Sequence, residues 1–80
     1  MQKLLEKERL GQKESQAFLA KLIGVDIRTY QNKEKGITQF KCEEMFIIAR
    51  HYNKRIDEIF IPQNFEKREI NNLKNNSKVS

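Results

Sequence analysis

Residues 16–35 read QAFLAKLIGVDIRTYQNKEK, and this stretch decides the fold. Phe18, Leu19, Leu22 and Ile23 recur at helical spacing, while Ala20 supplies a small side chain where a second helix must approach closely. Gly24 then stops that helix. A glycine there takes the left-handed conformation that closes a helix C-terminus, and Val25 tucks into the corner. Asp26 follows as an N-cap whose carboxylate accepts from the free amides of a helix starting at Ile27. The second helix of the pair therefore begins within about three residues of the first one's end, in a turn too tight for most other folds.

Outward from this corner the chain is helical throughout. No segment alternates apolar and polar residues, no Asn-Gly or Asp-Gly turn occurs, and the single proline, Pro62, falls late. The pattern predicts a first helix over about 2–10, with Leu4 and Leu5 inward and Gly11 ending it, and Ser15 as the cap of the helix that opens at Gln16. After Gly36, ITQF is a loop. A fourth helix over about 41–52 sets Cys42, Met45, Phe46, Ala49 and Tyr52 on one stripe, with Cys42 and Met45 as core. Asn53 breaks it, and a short fifth helix over 56–61 carries Asp57 and Glu58 in its first turn, where they suit the positive end of the dipole. Pro62 halts propagation. Residues 1–62 are thus expected to form one domain, and 63–80 a polar, Asn-rich extension, partly docked over 64–73 through Phe65, Ile70 and Leu73 and disordered beyond.

Composition narrows the function. Eighty residues at 38% hydrophobic supply one modest core. Sixteen Lys and Arg against eleven Asp and Glu give +5, a balance that favours a polyanionic partner such as nucleic acid. The lone cysteine has no internal disulfide partner, the first residues lack the apolar run of a signal peptide, and no span approaches membrane length, so a cytoplasmic location is expected. One His, one Cys and no phosphate-cradling Gly-rich loop argue against an enzyme; His51 lacks a second ligand at metal spacing, and no cofactor or small-molecule ligand is implied.

The chain resembles the Xre/Cro-type helix-turn-helix repressors of bacteria and phages over roughly residues 4–61. The resemblance rests on Gln16 opening the second helix, Leu19-Ala20 in its middle, the Gly24-Val25 turn, Glu34-Lys35-Gly36 closing the third helix, Ala49, and IDEIF at 56–60. It implies an all-α, five-helix, lambda-repressor-like DNA-binding domain in which the second and third helices form the helix-turn-helix. It also implies an ion pair between Arg9 and Glu34, tying the third helix to the scaffold. Glu14, Tyr30 and Lys33 depart from the family's apolar preferences. Lys33 is accordingly expected to snorkel toward phosphate, with the last turn of its helix rotated or frayed.

In this reading the third helix enters the major groove of double-stranded DNA with Ile27, Arg28, Gln31 and Asn32 against base edges. Arg28 matches guanine, Gln31 or Asn32 adenine, and Ile27 a thymine methyl. Gln16, Thr29, Lys33, Lys35, Thr38 and Gln39 are expected at the backbone, where contacts position without specifying. A homodimer on a two-fold symmetric operator would pair through Ile47, Phe60, Ile61 and Phe65. A repressor acting by operator occupancy is the leading expectation, and an antitoxin or anti-repressor that uses the same fold to bind protein is the alternative.

Overall fold

The computed structural model describes residues 1–61, which form five α-helices and, among the described residues, no strand. They are α1 (Lys3–Gly11), α2 (Gln16–Ile23), α3 (Ile27–Lys35), α4 (Cys42–His51) and α5 (Ile56–Ile59). Local chemistry fixes the ends of α2 and α3. Ser15 Oγ accepts from the Phe18 amide at 3.0 Å, and Asp26 Oδ1 accepts from the Thr29 amide at 2.7 Å. Gly24 closes α2 at φ +79, with the Val25 amide donating to Ala20 O at 2.9 Å. A Cβ at Gly24 would meet no atom within 4 Å, so backbone conformation rather than space demands glycine there. Asn53, at φ +57, turns the chain out of α4.

Leu5, Leu19, Ala20, Tyr30, Phe40, Ile48, Ala49, Ile59 and Phe60 form one buried cluster. Within it α2 packs on α3 and α4, while α1 packs on α3 and α5. Phe40, between α3 and α4, meets the rings of Tyr30 and Phe60 edge-on at 5.8 and 5.1 Å. Gln2 closes the far side: its Nε2 donates to Ile61 O at 2.8 Å, and its Oε1 accepts from the Ile61 amide at 2.6 Å.

The structure corrects several sequence expectations. Leu4 is exposed and only Leu5 faces inward on that turn of α1. Gly11 ends α1 as expected, and the left-handed residue of the loop that follows is Lys13, φ +58, next to Glu14, whose carbonyl accepts from Arg9 Nη1 at 3.0 Å. On α4 the buried face is Glu44, Ile48 and Ala49, with Met45 and Tyr52 flanking it. Cys42 is exposed, and Phe46 is 66% exposed. The buried stripe is shifted because Glu44 is drawn inward by Lys33. The fifth helix ends at Ile59, where Phe60 turns extended (φ −110, ψ 136) and drives its ring into the core.

Candidate functional site

Behind α3 lies a buried polar cluster centred on the Glu34 carboxylate. Arg9 Nε donates to Oε2 at 3.0 Å and Nη2 to Oε1 at 3.3 Å; the Tyr30 hydroxyl donates to Oε2 at 2.8 Å. Gln16 Nε2 completes the set on Oε1 at 2.7 Å. The ion pair that the resemblance implies is therefore present, with both side chains nearly sealed from solvent. Burial works against the Arg9 charge, but Glu34 outweighs it and holds the guanidinium above its ordinary range. Burial, reinforced by the Glu34 charge, likewise keeps the Tyr30 hydroxyl protonated well beyond the usual tyrosine range. Tyr30 thus buries its ring and satisfies its hydroxyl together, which reconciles it with a core position.

The cluster reaches the surface through Gln16. Its Nε2 must face the carboxylate, since an amide oxygen placed there would repel it, so its Oε1 points away and accepts from Gln31 Nε2 at 3.1 Å. A chain of polar contacts therefore runs from Arg9 through Glu34 and Gln16 to Gln31. It leaves Gln31 with an acceptor oxygen and a second N–H, a donor–acceptor pair on one amide.

Around Gln31 the outer face of α3 carries Ile27, 45% exposed, and an exposed Arg28, with Thr29 and Asn32 half-buried. Lys35, Thr38 and Gln39 are exposed beyond its end. The Asn32 carbonyl accepts from the Ile37 and Thr38 amides at 2.9 and 3.3 Å and folds that loop back over the helix C-terminus. Among the described residues neither Arg28 nor Lys35 has an ion-pair partner, so both charges are open to an external anion.

Lys33 is the principal correction. Its side chain is 8% exposed, its Nζ lies 2.9 Å from Glu44 Oε1 and donates to Gln39 O at 3.1 Å, and it sits 5.9 Å from the Phe40 ring centre. A phosphate contact is excluded because the ammonium is already enclosed by these acceptors, and α3 runs regularly to Lys35 instead of fraying. Gln16 is also committed internally, through both Glu34 and Gln31. Of the residues assigned to a dimer contact, Ile47 is exposed, Ile61 is half-buried against Gln2, and Phe65 lies outside the described residues. Phe60 is 5% exposed and belongs to the core, since its ring fills the space beside Phe40.

A second polar cluster was not foreseen. Glu14 accepts from the Tyr52 hydroxyl at 2.8 Å and lies 2.8 Å from His51 Nε2, joining the α1–α2 loop to the end of α4. Its position in place of an apolar residue was the available signal, as was the opposite sign of Lys33 and Glu44 at two inward positions. Among the described residues no group of three His, Cys, Asp or Glu is placed to hold a metal, and no helix is long and apolar enough to cross a membrane. No protein-family model, curated protein or solved structure matches this chain.

Proposed function

We propose that the chain is a sequence-specific, double-stranded DNA-binding regulator of Xre/Cro type, with α2, the Gly24–Asp26 turn and α3 as its helix-turn-helix. One observation carries the reading: Gln31, held by Gln16 and Glu34, shares the outer face of α3 with an exposed Ile27 and with Arg28, which has no ion-pair partner among the described residues. The inner face of the same helix is anchored by Tyr30, Lys33 and Glu34, which leaves the outer side chains to a partner. The free donor–acceptor pair of Gln31 matches N7 and N6 of adenine, Arg28 the two acceptors of guanine, and Ile27 a thymine methyl; Asn32 lies one position further in. Lys35, Thr38 and Gln39, with the first amides of α2 beside Gln16 and the Thr29 hydroxyl, supply phosphate contacts. Such a domain represses by occupying an operator. Two copies on half-sites about 34 Å apart would serve it, since one module alone buries too little surface for tight binding. It acts without catalysis, in the bacterial nucleoid.

The test is selection of duplexes from a random pool, followed by titration of the winner against random duplex over a range of salt. A selected sequence should bind at least ~1,000-fold more tightly than random DNA. Equal affinities that vanish alike with salt would leave only phosphate attraction, and the proposal would fail. Arg28→Ala should remove discrimination at one base pair, about 10- to 100-fold in affinity, with helical content unchanged.

A further inference from the structure

The outer face of α4 has no role in the site above. Burying Glu44, Ile48 and Ala49 leaves Glu43, Phe46, Ile47 and Arg50 outward, with Phe46 66% and Ile47 41% exposed. These four line one shallow depression. Their positions are i, i+3, i+4 and i+7, the diamond that receives a knob from a facing helix. The two charges at its ends form no ion pair among the described residues. They stand two turns apart, about 10.5 Å along the axis, and so are too distant to neutralise one another within a single chain.

The pattern is symmetric about its centre: the midpoint of Glu43 and Arg50 is also the midpoint of Phe46 and Ile47. A two-fold axis through that point, with α4 of two copies antiparallel, sets Glu43 against Arg50 of the partner subunit and the reverse. It also sets Phe46 against Phe46 of the partner subunit, beside Ile47 against the partner's Ile47. Parallel packing would instead set like charge against like. We propose that this face binds a second copy of the chain, α4 against α4, through an isologous contact with Phe46 at its centre. The proposal rests on the reading of a two-fold DNA-binding regulator for its purpose, but not for its test.

The test is sedimentation of the full chain without DNA over a range of concentration. A dimer is expected, and Glu43→Arg and Arg50→Glu should each weaken it by at least ~tenfold, because each sets like charges together. The double reversal should regain most of the loss, and Phe46→Ala should weaken the dimer without a change in helical content. A wild-type monomer at high concentration, a dimer indifferent to all four variants, or a double reversal no better than the singles would each overturn the proposal. Failure of the DNA reading shows differently. Monomeric variants that still bind a selected half-site leave that reading standing, whereas an intact dimer without sequence preference removes it alone.

Discussion

Gln16 donates to Glu34 Oε1 at 2.7 Å, the shortest of the four contacts made to that carboxylate, and in doing so couples a buried charge to the outer face of α3. Replacing Gln16 by Leu should leave the Arg9–Glu34 pair intact and cost about 1 kcal/mol, while Gln31 loses its fixed orientation. Under the proposed function, preference for adenine at one position should then fall together with that of Gln31→Ala. A double-mutant cycle on a selected duplex measures the coupling, and independent effects would show that Gln16 does not orient Gln31.

Glu34→Ala leaves Arg9 buried without its carboxylate and should cost roughly 3–5 kcal/mol in urea denaturation. Removing only the Tyr30 hydroxyl, as Tyr30→Phe, takes one donor from a carboxylate that keeps three and should cost about 1 kcal/mol.

The Lys33–Glu44 bridge gives a sharper contrast. Glu44→Ala strands an enclosed ammonium and should destabilise by roughly 3–5 kcal/mol, whereas Lys33→Met with Glu44→Leu should fall near wild type or above it. Comparison of the three unfolding midpoints decides this. If Lys33 instead reached out to phosphate, Glu44→Ala would be nearly silent.

Phe60 and Phe46 separate core from surface. Phe60→Ala empties the space beside Phe40 and should lose about 3–5 kcal/mol. Phe46→Ala, measured at a concentration where the chain is monomeric, should change stability by less than about 0.5 kcal/mol.

Glu14 sets part of the acid limb of stability. Burial raises its pKa, but the hydrogen bonds from Tyr52 and His51 outweigh burial and hold the carboxyl below its usual range. A carboxyl depressed in the folded state stabilises fully above its unfolded pKa, about 4.3, and that contribution is lost as pH falls through the folded value. Glu8, lowered chiefly by its hydrogen bond from Lys54, acts with the same sign. Glu14→Gln should therefore flatten the decline in urea midpoint between neutral pH and about pH 3.5, and an unchanged slope would assign the limb to other groups.

What could be read from the chain was local. Ser15, Gly24 and Asp26 each act on amides or dihedrals within three or four residues, and so the limits of α2 and α3 follow from sequence. What could not be read depended on elements meeting. Lys33 and Glu44 become acceptable inside only because α3, the loop to Phe40 and α4 bring them within 2.9 Å. Along α4 the run from Met45 to Ala49 is apolar at every position, so periodicity alone does not choose between Phe46 and Ile48 as the buried side. Phe60 faces inward because the chain leaves helical geometry there, a turn no spacing rule anticipates. Within the candidate site, Arg28 and Ile27 were visible as polar and apolar types near a helix start. The brace on Gln31 was not, since Gln16 and Gln31 lie on different helices.

Gly24 and Gly36 bracket α3 in left-handed turns, Asp26 caps its start, and its inner residues are held by contacts that involve none of its outward side chains except Gln31. Folding information and outward chemistry are therefore written on separate positions of the same nine residues. Exchanging Ile27, Arg28 and Asn32 leaves every anchor of the helix in place, which makes α3 a replaceable surface on a constant frame. Under the proposed function, what that surface recognises can change one residue at a time while every hydrogen bond that anchors the helix is kept.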